Sequence, residues 1–400
     1  MTTLTPAATS RPDEADRGAY RLTTVPTLDA VGERELDSLT ANRTFYVSRP
    51  WLRAVELQHR DRTAYVICRD RAGTLRGVCP LYWGIPSSRG FYDAFGHFLH
   101  RSGGEFDLGD WSPAHVIGSR AGYSCEFLVD PATTPNEQRE VLDLLLHTAQ
   151  AHAREAGAAS LSALYLNERG AAQLRDVLPA GQECYVAGAG CVLDVRWSSM
   201  DEYVRAMGRD GKTIRREMRV FASKGYTIVE SRLGEWVDIA AGLFAQLERR
   251  YGHEDSAEDE AVELRALAEC ADEHSRVLAI RDGARVIGLV LLFLWDGVVY
   301  VRSAGFDYAA MNNAFEYFNL GYYETIRFAI RHGYRQLDFG MATYRAKLAR
   351  GVRLEPLWGV SMSRTADSPL AEDTFAAWDR DRRAAVHSAD PSLLERAQLP

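Results

Sequence analysis

The 400-residue sequence contains no run of about eighteen consecutive apolar residues, the length that a helix needs to cross a bilayer. Its first residues, MTTLTPAATSRPDEADRG, are polar and have no apolar signal core. We therefore expect no membrane span, a disordered tail over residues 1–19 and a cytoplasmic globular protein.

Cysteine and histidine motifs are also missing. The six cysteines show no CxxC spacing, and the ten histidines form no HExxH or other paired-ligand pattern. This predicts reduced thiols buried in apolar strands and no structural or catalytic metal. One close pair, His97 and His100, suits surface or acceptor-pocket positions better than metal ligation. It lies in an aromatic, glycine-rich stretch, residues 85–121, which predicts either a loop closing over a substrate or a cover for a sheet edge.

What the sequence does contain is a repeated order of strands and helices. A chain of this length exceeds what one hydrophobic core usually supports, so two units are expected. The first half has strand-like SCEFLVD, a helical pattern over residues 136–155 and strand-like SLSALYL. The second half repeats this order with VVYVRSAG, a helix whose apolar residues recur from Phe315 to Ala329, and LDFG. The repeat predicts an internal duplication.

Polar residues collect near the strand ends of the second unit. Arg302 and Ser303 lie toward the end of its first strand and Asp338 in the next one. Tyr344, Lys347 and Arg350 follow just beyond. Functional groups in open sheets gather where strands finish, so we predict the site here.

A basic stripe lies between the two units, in a chain whose net charge is −8. Arg209, Lys212, Arg216 and Arg219 are spaced 3, 4 and 3 residues apart, which places them on one face of a helix. Either this is a solvated helix face or it binds a polyanion, since neutralised phosphates release counterions. Its scarcity of acidic neighbours favours a phosphate-bearing ligand.

The stretch from 300 to 351, with FNLGYYETIRFAIRHG, LDFG and YRAKLARG, resembles the Fem-like branch of the GNAT acyltransferase superfamily. TFYVSRPWLRAVEL and SSMDEYVRAMGRDGKTIRREMRVFASKGYTI look like further family segments in family order. The resemblance implies an α/β fold of mixed sheets, with tandem GNAT-like domains at residues 20–195 and 227–400. A basic helical segment at residues 196–226 separates them.

The resemblance also implies an activity: transfer of an aminoacyl group from aminoacyl-tRNA to an amine, with no cofactor. The acceptor is a cell-wall precursor or a natural-product intermediate. Coenzyme A-dependent GNAT enzymes hold pyrophosphate on an R/Q-x-x-G-x-G/A turn, whereas this chain has GFDYAAMNNAF, so we predict that the cradle is absent. An acyl-CoA-dependent N-acyltransferase and a non-catalytic RNA- or glycan-binding module are the alternatives.

By this resemblance, Lys347 is the principal catalytic candidate, stabilising the oxyanion or the donor's terminal phosphate. Asp338 and Tyr344 orient the amine or carry its proton. The structural alternatives are that Asp338 caps the next turn, that Arg302 pairs with Asp338 and that Tyr344 only packs.

The remaining candidates bind substrates. We assign four residues to the acceptor: Arg302, Ser303, Asn319 and Tyr323. Five basic residues are assigned to the donor and its phosphates: Arg209, Lys212, Arg216, Arg219 and Arg350. Related proteins often carry a glutamate where this chain has Asn319. Because an asparagine side chain cannot act as a base, the acid–base roles of those relatives do not transfer to this chain.

Overall fold

A computed structural model of the chain describes residues 14–85, 113–178, 184–250, 252 and 256–363, with a few positions between 380 and 390. Most of the predicted loop, including His97 and His100, lies outside the described residues. The structure places a strand at residues 14–17, inside the segment that we expected to be a disordered tail.

The described strands form one mixed sheet. They are β1 (Glu14–Arg17), β2 (Tyr20–Val25), β3 (Thr63–Asp70), β4 (Leu75–Trp83), β5 (Ala114–Ile117), β6 (Leu128–Val129), β7 (Ser160–Leu166), β8 (Tyr185–Asp194), β9 (Thr227–Ser231), β10 (Ser275–Asp282), β11 (Arg285–Trp295), β12 (Val298–Phe306), β13 (Gln336–Asp338) and β14 (Arg353–Ser363).

The helices pack against this sheet and against one another. They are α1 (Glu33–Thr40), α2 (Arg49–Gln58), α3 (Pro135–Glu155), α4 (Glu168–Arg175), α5 (Met200–Ala206), α6 (Gly211–Ala222), α7 (Val237–Arg250), α8 (Ala257–Ala271), α9 (Glu316–Phe318), α10 (Thr325–His332) and α11 (Tyr344–Leu348). The α3 helix shows why they form locally: Pro135 opens it, and Thr134 and Glu137 make a reciprocal capping box.

The two halves share one strand order, which confirms the duplication. In the first half, β2 to β5 pair antiparallel in sequence order, and β7 then pairs parallel with β5 after the α3 crossover. In the second half, β9 to β12 pair antiparallel, and β13 pairs parallel with β12 after a helical crossover. Parallel neighbours need such crossovers, whereas antiparallel ones do not.

Two strands join the halves into one sheet. The C-terminal β14 lies between β7 and β8, antiparallel to both, and β8 continues the sheet by pairing with β13. Strand β14, from the second half, therefore completes the sheet of the first half. We call the middle of the sheet, where β7, β14, β8 and β13 pair, the seam, because both halves contribute strands to it.

The crossover helix of the second half is less regular than its apolar period predicts. Phe315 has a left-handed φ of 59°, and residues Asn319–Glu324 form a π-helical turn between α9 and α10. The predicted helix is therefore present from Glu316 to His332, with π-helical geometry at Asn319–Glu324, and Phe315 lies just before it begins. The apolar period predicts which side chains are buried, and Tyr322, Ile326 and Ala329 are indeed buried. It does not predict where a π-helical turn occurs.

Candidate active site

Strands β12 and β13 separate near the seam. They pair only from Val298 to Tyr300, and no described strand pairs with the rest of β12 on that side. Residues 301–304 are partly exposed although β12 lies far from the sheet edges. Opposite this segment, Leu291 pairs with Ser303 and Leu292 with Val301, so Arg302 is an extra residue in a β-bulge. Bulges of this kind re-aim side chains and are common beside active sites.

A cavity of about 330 Å³ lies at the seam and is lined by both halves. The first half contributes residues 42–44, 123–124, 126 and 167–169, the seam strands contribute 190, 192 and 355–357, and the second half contributes 296, 298, 300, 335–336 and 338. Asp338 is the predicted site residue found in this lining. Concave sites at domain junctions are the usual places for small ligands.

Asp338 stands at the cavity with few internal partners. One carboxylate oxygen accepts a hydrogen bond from the backbone N–H of Gly340 at 2.7 Å, so the predicted capping of the next turn does occur. Burial raises the pKa of Asp338 to about 6 and the charge of Glu355 adds to the increase, while the Gly340 N–H and the Lys347 ammonium oppose it. A carboxyl group with this pKa can accept a proton near neutral pH.

A buried ion network forms the first-half side of the cavity. The Glu126 carboxylate accepts from Arg43 at 2.8 Å, from Arg169 at 3.1 Å and from the backbone N–H of Thr44 at 3.0 Å. Its charge is therefore compensated, and the network fixes the wall that faces Asp338. Our reading of the sequence missed these residues. A glutamate inside the apolar run SCEFLVD was the available signal, because buried carboxylates need partners.

Arg302 is engaged elsewhere. Its guanidinium donates to Glu263 at 2.8 Å and lies over the ring of Trp51, 5.5 Å from the centroid, and only 9% of the side chain is exposed. The predicted pair with Asp338 is therefore wrong. Glu263 already pairs with Arg302 in this structure, and the assignment of Arg302 to an acceptor carboxylate stays a prediction. Ser303 lies on the unpaired segment of β12 and remains a candidate.

Lys347 is buried against backbone. Its Nζ donates to the carbonyl oxygens of Phe339 at 2.7 Å and Met341 at 2.8 Å, and burial lowers its pKa. The ammonium thus holds the turn that follows β13, directly beyond Asp338. The Tyr344 hydroxyl accepts from the backbone N–H of Ala189 on β8 at 3.0 Å, which ties α11 to the seam.

Three further predicted site residues lie inside the core around Glu217 of α6. Arg350 donates to the Glu217 carboxylate at 3.0 Å and stacks on Phe318 at 3.9 Å, and the Tyr323 hydroxyl donates to the same carboxylate. Asn319 donates to the backbone carbonyl of Glu217 at 3.3 Å. These side chains are 0–7% exposed and make internal contacts. The acceptor roles of Tyr323 and Asn319 and the phosphate role of Arg350 stay predictions.

The opposite face of α6 is basic and exposed. Lys212, Arg216 and Arg219 project from it, and Arg209 lies in the turn before the helix begins. In the described chain none of the four forms an ion pair, and Arg216 lies over the Phe315 ring, 5.6 Å from its centroid. We call these four residues the basic face. Its predicted exposure on one side is observed, although Arg209 is outside the helix proper.

The cysteines, possible metal ligands and long apolar helices can be assessed within the described part of the chain. All six cysteines are free thiols, four buried and two partly buried. Within residues 14–85, 113–178, 184–250 and 256–363, no cluster of three His, Cys, Asp or Glu side chains has metal-site geometry. In that same part of the chain, no helix combines the length and apolarity needed to span a bilayer.

The strand order, the separation of β12 from β13 at the seam and the crossover after β12 place the chain in the GNAT-like fold class. Residues 209–348 match the family model described as an acetyltransferase (GNAT) domain, and no curated protein matches the chain. The model covers the basic face, β12, β13 and Asp338.

Solved structures agree on the fold. FemX is similar with a TM-score of 0.54 and 13% identity, over 86% of this chain and 98% of that chain. The C-terminal domain of a putative lysylphosphatidylglycerol synthetase from Agrobacterium fabrum gives a TM-score of 0.52 and 12% identity, over 88% and 96%. A conserved protein of unknown function from Bacteroides thetaiotaomicron gives 0.52 and 12%, over 84% and 98%. The chain therefore has the tandem GNAT fold of the Fem-like type, as the sequence resemblance implied.

Proposed function

We propose that the protein is an N-acyltransferase that moves an aminoacyl group from aminoacyl-tRNA to an amine held in the seam cavity. The observation that carries the proposal is the basic face: four cations without an ion pair in the described chain, on a protein of net charge −8. Like charges at helical spacing repel one another, and a polyanionic donor relieves that repulsion.

The position of the basic face supports a donor that reaches the seam. Helix α6 packs directly on the crossover after β12, through the contacts of Glu217 with Tyr323 and Asn319. Arg350, which follows α11, pairs with the same carboxylate. The phosphate backbone of a donor bound to the outer face of α6 would thus contact a helix that packs against the crossover between the separated strands β12 and β13. Phosphate contacts of this kind position a nucleic acid without reading its sequence.

The chemistry requires little more than positioning and one base. The acceptor amine attacks the ester carbonyl that links the amino acid to the tRNA, so a C–N bond forms and the ester C–O bond breaks. Asp338 takes the proton that the amine loses and passes it to the departing ribose oxygen, so that the carboxylate is regenerated. An ester is already activated relative to the amide product, so orientation supplies most of the acceleration.

Lys347 acts in this scheme as a positioning residue. Its two bonds to backbone carbonyls fix the turn that holds Asp338 at the cavity, and its charge lowers the pKa of Asp338. Tyr344 fixes α11 against β8 in the same way. Ser303, on the open segment of β12, is placed to contact a substrate between the separated strands.

An acyl-CoA donor is the second candidate, because the matched family model describes acetyltransferases. The residues at the β12 crossover do not favour it. The loop from 307 to 315, DYAAMNNAF, contains no glycine, so side chains surround any phosphate that would approach its backbone.

The decisive experiment is a salt titration of tRNA binding to the wild type and to a variant with Arg209→Glu, Lys212→Glu, Arg216→Glu and Arg219→Glu. A matched control reverses four exposed arginines of the first half that form no ion pair: Arg34, Arg60, Arg139 and Arg154. Both variants change the net charge equally.

We expect wild-type binding to weaken steeply with salt, the basic-face variant to lose it and the control to retain it. Wild-type indifference to tRNA at low salt, or equal loss in both variants, would overturn the tRNA proposal. Release of amino acid from charged tRNA on addition of amines then tests the transfer step.

A further inference from the structure

The junction between β12 and α9 contains an anion site that the protein fills itself. Backbone N–H groups at strand-to-helix turns bind phosphates in many α/β folds, because several donors point to one place. Here the turn includes two non-glycine residues with positive φ, Asn313 at 52° and Phe315 at 59°. Left-handed residues in a turn help to direct nearby backbone N–H groups toward one point, as in an anion-binding nest.

The carboxylate of Glu316 occupies this nest. One oxygen accepts from the backbone N–H of Asn312 at 2.7 Å and from the Tyr226 hydroxyl at 3.0 Å. The other oxygen accepts from the backbone N–H of Ala314 at 2.9 Å. The side chain is fully buried. Both nest donors are therefore bonded to an internal carboxylate.

We infer that Glu316 is a donor-selecting residue, whose carboxylate occupies the backbone anion site at the β12 junction and so prevents coenzyme A from placing its pyrophosphate there. The inference rests on the proposed function, since only a group transferase has a donor to select. It adds to that proposal the residue that excludes one donor class.

Two physical effects act together. The donors that a pyrophosphate needs are already used, and breaking their bonds to Glu316 would leave a buried carboxylate with the Tyr226 hydroxyl alone as its partner, which is costly. A pyrophosphate near the nest would also face the negative charge of Glu316 at short range in a poorly solvated place. A phosphate donor must therefore be held elsewhere.

The contacts of the nest suggest that the phosphate donor is held on α6. Tyr226, which bonds Glu316, follows α6 by four residues, and Asn312 also donates its side-chain amide to the Tyr226 hydroxyl at 2.9 Å. Arg216 of the basic face lies over Phe315, inside the same turn. The nest filled by Glu316 and the exposed basic face are therefore in direct contact through Tyr226 and Arg216.

The test is calorimetric titration of coenzyme A into wild type, Glu316→Gln, Glu316→Ala and a control, Glu324→Ala. Glu324 lies on the same crossover, pairs only with the nearby Arg327 in the described chain, and its loss changes the net charge by the same amount. Glu316→Gln keeps the shape of the side chain, which guards against failure of the alanine variant to fold.

We expect no binding to wild type or to Glu324→Ala at about 1 mM coenzyme A, and at least about tenfold stronger binding to the folded Glu316 variants. Micromolar binding to wild type, or folded Glu316 variants that bind no better than Glu324→Ala, would overturn the inference. The tRNA titration is independent of these outcomes: loss of tRNA binding removes the proposed donor and leaves the role of Glu316 standing.

Discussion

The two faces of helix α6 hold charge in opposite ways. On its inner face, Glu217 is 6% exposed and is matched by Arg350 and by the Tyr323 hydroxyl. On its outer face, Lys212, Arg216 and Arg219 form no ion pair in the described chain. Buried charges must be compensated within the fold, whereas exposed ones are free to meet a partner. The same helix therefore serves stability on one side and, in our proposal, donor binding on the other.

The largest effect is expected on the inner face. Glu217→Ala leaves Arg350 buried without its counter-charge, and we expect the free energy of unfolding to fall by about 3–5 kcal/mol. The matched control is Arg219→Ala on the same helix, which should stay within about 0.5 kcal/mol of wild type. Denaturant unfolding measures both. Similar losses from the two changes would contradict the contrast between the faces.

The outer face should show the converse pattern. Reversing the four charges of the basic face is expected to weaken tRNA binding by at least about 100-fold at low salt, because several phosphate contacts are lost together. Its unfolding free energy should change little, as the side chains are exposed. Filter binding and thermal unfolding on one sample check this pair of results, and a large drop in melting temperature would count against it.

Asp338 sharpens the comparison, because it lines the cavity and, unlike Glu217, has no cation within hydrogen-bonding distance in the described chain. We expect Asp338→Asn to reduce transfer by at least about 100-fold, since the base is lost while the bond from Gly340 can remain. Wild-type activity should rise with pH through about 6, the pKa of Asp338. A pH profile that persists in Asp338→Asn would assign the base to another group.

The same residue makes a prediction about stability with a definite sign. The folded pKa is raised, so the folded state holds the proton more tightly than the unfolded chain, and stability falls as pH rises from about 4 to 6. Asp338→Asn removes this penalty. We expect it to raise the unfolding free energy by about 1–2 kcal/mol at pH 8, with no gain at pH 3, measured by urea unfolding. A loss of stability at pH 8 would contradict the raised pKa.

The smallest effect distinguishes two roles for Lys347. As a positioning residue, it lowers the pKa of Asp338, so Lys347→Met should shift the midpoint of the pH profile upward and reduce transfer by about tenfold. A reduction of about 1000-fold with an unchanged midpoint would instead support direct stabilisation of the oxyanion. Transfer rates between pH 5 and 8 separate these outcomes.

The duplicated strand order and the basic face could be predicted because both depend on local periodicity. Strands such as SLSALYL and helix α3 are fixed by patterns within a few residues. The bulge at Arg302, the π turn and the left-handed Phe315 leave no such pattern. These backbone features depend on packing against residues that are distant in the sequence, so no short stretch of sequence predicts them.

The sequence by itself determined that this is a duplicated α/β chain with a basic helix between its halves, and that Asp338 lies in the last parallel strand. Only the tertiary structure decided which charged groups are available. Arg219 and Arg350 carry the same guanidinium group, but Arg350 pairs with Glu217 across 133 residues of chain and Arg219 is exposed to solvent. Asp338 and Glu217 both carry a carboxyl group, but Asp338 lines a cavity and Glu217 pairs with an arginine. Charge compensation depends on which distant residues the fold brings within a few ångströms, and burial makes that choice energetically large.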